Sequence, residues 1–163
     1  MSHERGRMVK PVFAAFAAAL VVASLGAAAT QLGPWYYALH KPSWQPPDWL
    51  FGPAWTLIFG LAAAAGVSAW RHAGTRRARV KIIAAFAINM GLNTLWSLLF
   101  FRLHRPDWAL FEVGFLWASI LVLMGVLWSF SHLASYLLLP YLLWVSFASV
   151  LNLAIVRLNA PFS

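Results

Sequence analysis

The sequence contains no cysteine, so it offers no disulfide, no thiolate metal site and no cysteine nucleophile. Charge is nearly as scarce. Only 10% of the 163 residues are charged, against about 25% in a soluble domain. Aspartate and glutamate together number four, and Glu112 alone falls inside a long apolar run. The five histidines, His3, His40, His72, His104 and His132, lie outside such runs or at their ends. Coupled pumps and proton relays carry chains of buried ionisable groups, and none is seen here. An intramembrane histidine ligand for haem iron is missing for the same reason. No acid–base pair or activated nucleophile supports hydrolytic or transfer chemistry. The net charge of +8 does not imply nucleic acid. Its Lys and Arg cluster in loops beside apolar runs, where they serve as topology signals and anionic-lipid contacts.

What is abundant is apolar surface, with 62% of residues hydrophobic. A bilayer span needs about 20 mostly apolar residues. Five segments qualify: Pro11 to about Leu32, 50–70, 80–101, 109–131 and 135–158. The expected fold is therefore an all-α membrane protein, one domain over residues 1–163, built as a bundle of five transmembrane helices. The first run is too long for a signal-peptide core of about 7–15 residues, which favours a retained helix. A small-residue cleavage pattern at Ala27–Ala29 is the alternative. Five spans put eight basic residues on the N-terminal side (Arg5, Arg7, Lys10, Arg71, Arg76, Arg77, Arg79, Lys81). Four lie opposite (Lys41, Arg102, Arg105, Arg157). In a bacterial cell membrane this places the N-terminus in the cytoplasm. An outer or mitochondrial membrane is not addressed by the count.

The chain is organised around Trp35–Thr56, WYYALHKPSWQPPDWLFGPAWT. It holds Trp35, Trp44, Trp49 and Trp55, with Pro42, Pro46, Pro47 and Pro53 inside it and Pro34 just before. Proline fixes φ and donates no hydrogen bond, so this stretch is neither an ordinary helix nor a central strand. It has too many aromatics for a flexible linker. A stiff lid between the first two spans is expected, formed by Trp35, Lys41, Trp44, Pro46, Pro47 and Trp49.

Buried polarity is mostly amide. Asn89, Asn93 and Trp96 share a face of the third span, and Trp144, Ala148 and Asn152 share one of the fifth. Asn89 and Asn152 are read as helix bridges, and Asn93 as an orienting hydrogen-bond group in a flat apolar slot. Trp70, Trp108 and Trp128 fit an interfacial belt. Glu112 is expected in the first turn of the fourth span, favoured by the helix dipole. Pro140 is expected to kink the fifth span. Ala15, Ala19, Ala23 and Ala27 on the first span, and Ala84, Ala87 and Gly91 on the third, read as helix packing, with a homodimer seam through the third span as the alternative.

Three blocks resemble the TspO/MBR family, the tryptophan-rich sensory proteins related to the mitochondrial translocator protein, or peripheral benzodiazepine receptor. They are Trp35–Thr56, Leu92–Phe101 (LNTLWSLLFF) and Pro140–Asn159 (PYLLWVSFASVLNLAIVRLN). The resemblance implies a commonly dimeric five-helix bundle with a pocket under the first loop. It implies binding of porphyrins such as protoporphyrin IX, of haem in some members, and of benzodiazepine-site molecules, with no obligatory cofactor and no metal site. Carried over, the pocket positions are Tyr36, Phe51, Trp55, Phe59, Asn93, Trp96, Trp144 and Ala148. The chain departs from the family in having Phe59 where a Tyr is common, Asn89 where many have Gln, and Ser43 where some have Trp. Leu153-Ala154 before Arg157 lacks the Tyr of the cholesterol-associated motif.

The expected function is a tetrapyrrole-binding membrane sensor or regulator. Indole faces would stack on the ring, and Lys41 or His40 would meet a carboxylate. The resemblance also implies a light-dependent protoporphyrin-degrading enzyme as an alternative, with Trp55 and Trp144 as the photochemical residues. A transporter of porphyrin or another amphipathic molecule is the third.

Overall fold

The structure, a computed structural model, describes residues 32–162. Helix α1 is Pro34–Ala38, and a single helical turn, Asp48–Leu50, leads into α2, Phe51–His72. Next come α3, Arg76–Ser97, widened at its end by the turn Leu98–Arg102, and α4, Pro106–Trp128. The short α5, His132–Tyr136, precedes α6, Leu139–Asn159. No strand occurs among the described residues. Four segments are long and apolar enough to cross a membrane: Asp48–His72, Arg76–Arg102, Pro106–Trp128 and His132–Asn159. They correspond to the second to fifth expected spans. The first expected span, with Ala15, Ala19, Ala23 and Ala27, lies outside the described residues.

Helix starts follow local chemistry. Thr75 caps α3 by accepting the Ala78 N–H at 3.1 Å, so the helix begins in the polar Arg76–Arg79 stretch, before Val80. Ser131 caps α5 through the Ala134 N–H. Pro106 opens α4, where a missing N–H costs nothing. Pro140 does the same for α6. The expected kink is therefore a helix break. The chain turns at Leu137–Leu138, the Leu138 N–H donates to the Ser135 carbonyl, and Pro140 sits in the first turn of a new helix.

The inward stripe of α4 is Ala109, Glu112, Val113, Leu116, Ile120, Leu123 and Leu127, at helical spacing. Glu112 is thus in the second turn, not the first as expected, and it is buried. The outward side is equally apolar, with Phe111 75% exposed and Val122 63% exposed, as suits a helix facing lipid. Among the described residues, Ala84, Ala87 and Gly91 on α3 are also exposed.

Lipid tails are as apolar as leucine, so polar bonds and close packing must hold the helices in register. Asn89 Nδ2 donates to Ser119 Oγ at 2.8 Å, joining α3 to α4. The Tyr141 hydroxyl donates to Asn89 Oδ1 at 3.1 Å and accepts from Asn93 Nδ2 at 3.3 Å, joining α6 to α3. Trp117 Nε1 donates to Ser146 Oγ at 2.8 Å, joining α4 to α6. Asn152 completes the set with its carboxamide oriented to meet complementary groups. It donates to the Pro106 carbonyl at 3.0 Å and accepts from the Leu110 N–H at 3.1 Å. Asn89 and Asn152 are bridges, as their spacing implied.

Tyr141→Phe removes the hydroxyl shared by Asn89 and Asn93. It should lower stability by about 1–3 kcal/mol, read as a lower thermal midpoint in detergent. Phe111→Leu on the lipid face should change it by no more than about 0.5 kcal/mol.

Candidate functional site

The Trp/Pro segment folds first onto itself. Pro34 starts α1, and extended backbone at Leu39 ends it. The Gln45 N–H closes a turn on the Pro42 carbonyl, and the Leu50 N–H closes another on that of Pro47. Tyr36 is buried beneath these turns. Its hydroxyl donates to Asp48 Oδ1 at 2.8 Å, and Gln45 Nε2 donates to both Asp48 Oδ1 (3.2 Å) and the phenol oxygen (3.3 Å). Lys41 Nζ lies 3.7 Å from the centre of the Tyr36 ring, a cation–π contact. Burial first, and the Asp48 carboxylate second, push the Tyr36 phenol above its ordinary value of 10.0. A phenol held protonated in the folded state contributes stability that is fully present below pH 10 and is lost at more alkaline pH.

The segment is then tied to the helix ends. The His40 N–H donates to Asn159 Oδ1 and Asn159 Nδ2 donates to the His40 carbonyl, each at 2.8 Å. One carboxamide at the end of α6 thus pairs with the backbone N–H and C=O of a single residue, as a neighbouring strand would. Trp35 stacks on His104, with ring centres 4.2 Å apart and planes 18° apart. His104 sits in the turn between α3 and α4 at φ 55°, a left-handed conformation in which His is enriched. Trp44 meets Phe147 of α6 edge-on at 5.9 Å.

Under the segment the aromatic rings form two adjoining groups. In the first, Trp55 of α2 and Trp144 of α6 meet edge to face at 6.5 Å. Phe59 stacks on Trp55 at 5.2 Å, Phe51 meets Trp144 at 5.6 Å, and Tyr141 meets Trp55 at 6.0 Å. In the second, Trp96 stacks on Phe100 at 5.1 Å, and Phe100 in turn meets Trp35 edge-on at 6.1 Å. Trp96 packs against both buried apolar clusters of the bundle.

Of the residues expected to line a pocket, Phe51, Trp55, Phe59 and Trp144 come together, and Tyr36 and Trp96 join the second group. Ala148 is half-buried one turn beyond Trp144. Asn93 is buried, with its amide nitrogen engaged by Tyr141 between helices. Among the residues assigned to the segment, Trp49 points away, 72% exposed, and Pro46 and Pro47 shape the turn leading to Asp48. Sequence reasoning missed Tyr141, Asp48, Asn159 and His104. Tyr141 follows Pro140 and lies three residues before Trp144, a spacing that puts both on one helical face. Asp48 pairs within its own segment, with Gln45 and Tyr36, whereas nothing in the sequence pairs Asn159 and His104 with partners so distant along the chain. The assembled groups are indole, phenyl, phenol and carboxamide. They suit a flat apolar ring held by stacking and oriented by a few hydrogen bonds.

Helices of membrane length and an indole cluster beneath a segment rich in tryptophan and proline define a multi-pass, tryptophan-rich helical membrane protein. The model of the TspO/MBR family matches residues 13–158, and the chain belongs to that family. It is 46% identical over 127 residues to a tryptophan-rich protein TspO of Archaeoglobus fulgidus, covering 77% of this chain and 80% of that one. It is 34% identical over 148 residues to protein CrtK of Rhodobacter capsulatus, covering 91% and 92%. The human translocator protein is 32% identical over 127 residues, covering 77% and 75%.

Asn159→Ala should loosen the segment's hold on α6, leaving only the Trp44–Phe147 contact described above. The His40 amide should then exchange with deuterium about tenfold faster or more. Amides in the middle of α4 should be unchanged, as read by hydrogen-exchange mass spectrometry.

Proposed function

We propose that this protein is a membrane tetrapyrrole sensor or regulator, a five-helix bundle in which the Trp/Pro segment is the lid of a flat aromatic chamber. The observation that carries this reading is the meeting of Trp55 and Trp144, contributed by helices far apart in the chain, 6.5 Å apart beneath the segment. Porphyrins offer large π faces that indoles stack on, and their propionates match a cation such as Lys41 at the chamber's edge. Protoporphyrin IX or haem would bind through ring and carboxylates, and a smaller flat molecule of benzodiazepine-site type would use the same rings. Outward-facing Ala84, Ala87 and Gly91 suit a homodimer seam, since small residues let helices approach closely. The loop charges orient the lid to the outer side of a bacterial cell membrane.

The same indole pair favours one second reading. An excited porphyrin lying against either ring can exchange an electron with it, so light-driven porphyrin oxidation would run through Trp55 and Trp144.

Titrating the purified protein with protoporphyrin IX in the dark should give saturable quenching of tryptophan fluorescence. Trp144→Phe should weaken binding by about 1 kcal/mol, some fivefold. Absence of saturation in the wild type would refute the chamber. Under illumination, porphyrin loss that persists after both Trp55→Phe and Trp144→Phe would eliminate the photochemical reading.

A further inference from the structure

The end of the bundle remote from the Trp/Pro segment is crowded with positive charge. Arg71, Arg76, Arg77, Arg79 and Lys81 are five cations within eleven positions, and all five are exposed. Only residues 73–75 separate α2 from α3, so these side chains share one short connection. The acids among the described residues, Asp48, Asp107 and Glu112, all sit near the other end, where α2 and α4 begin. At 1.5 Å per residue, the 22 residues of α2 keep those acids more than about 20 Å away. That is over twice the screening length of about 8 Å at physiological salt. The one ion pair among the described residues, Arg105 with Asp107, is also at the far end.

Helix electrostatics adds to the imbalance. Arg71, in the last turn of α2, suits the negative end of that helix. Arg76, Arg77 and Arg79 fall in the first turn of α3, its positive end, where no acid is present. Within the described residues nothing neutralises them, so an anion from outside the chain is called for. One of the three is already positioned. Arg79 Nε donates to the Ala73 carbonyl at 3.2 Å, and its guanidinium lies 4.9 Å from the centre of the Trp70 ring. Its terminal nitrogens have no partner among the described residues and keep the paired N–H geometry that suits a phosphate.

The surroundings distinguish a lipid from a soluble anion. Arg76, Val80 and Ile83 follow one another on one exposed face of α3, a cation above two apolar side chains. The Ser68–Ser131 bond, at 2.9 Å, joins this end of α2 to the turn after α4, where Trp128 stacks on His132 at 4.1 Å. Trp70 and Trp128 together mark headgroup depth. A free phosphate would use the cations alone, whereas a phospholipid also covers the apolar face below them.

We propose that the α2–α3 connection is a binding site for an anionic phospholipid. Arg76, Arg77 and Arg79 hold its phosphodiester, and an acyl chain lies along Val80 and Ile83. This site is separate from the aromatic chamber and does not depend on it.

The test is the thermal midpoint of the full-length protein in detergent at fixed ionic strength. Dioleoylphosphatidylglycerol, dioleoylphosphatidylcholine and inorganic phosphate are added in separate titrations. The phosphatidylglycerol should raise the midpoint about 2–4 °C more than the phosphatidylcholine, and phosphate by less than about 1 °C. The double variant Arg76→Gln, Arg77→Gln should lose at least half of that difference, and Arg102→Gln, at the opposite end, should keep it. Arg76→Gln alone, with a smaller loss in the same direction, serves should the double variant not fold. Equal midpoints in the two lipids overturn the proposal. So does an equal shift from phosphate, which would mean a free anion, or an equal loss in Arg102→Gln, which would mean diffuse surface charge.

Discussion

Everything in this fold depends on setting helix register without a hydrophobic driving force between helices. Inside a bilayer, apolar side chains gain little by leaving lipid for one another, so polar bonds and close contact must set the register. The Tyr141 hydroxyl is where this is most visible. It takes one bond from Asn93 and gives one to Asn89, which itself reaches Ser119. Three helices are registered through one phenol. Each such bond is worth only about 0.6 kcal/mol on average. A closed set of them still excludes slipped arrangements, which would strand buried amides without partners.

The same register builds the site. Tyr141, Trp144 and Phe147 follow at three-residue intervals on α6, and Tyr141 ties its helix to α3 while its ring meets Trp55. Holding Tyr141 therefore holds Trp144 against Trp55. Above them the Trp/Pro segment is braced twice, internally by the Tyr36–Asp48–Gln45 triad and externally by the Asn159 carboxamide and the Trp35–His104 stack. The internal brace keeps the segment's shape, and the external one keeps it over the bundle.

Much of the architecture was legible because bilayer physics is one-dimensional. Long apolar runs mark spans, and four of the expected five correspond to helices here, with ends displaced where a cap such as Thr75 outweighs hydropathy. Asn89 and Asn152 could be read as bridges because amides in spans have few other uses. Pro140 was misread because proline starts helices as readily as it bends them, and only the turn at Leu137–Leu138 decides between the two. Glu112 was assigned to the wrong turn because its turn depends on where α4 begins. Pro106 opens the helix three residues before Ala109, which moves the acid from the first turn to the second.

By itself the sequence determined the membrane class, the helical spans among the described residues and the stiffness of the tryptophan-rich segment. These follow from local composition and from dihedral limits that proline imposes on its own neighbourhood. Tertiary structure alone decided which rings meet. Trp55 and Trp144 are 89 positions apart, and His40 and Asn159 are 119 apart. No local rule relates residues so distant, and their meeting is set by how the helices pack.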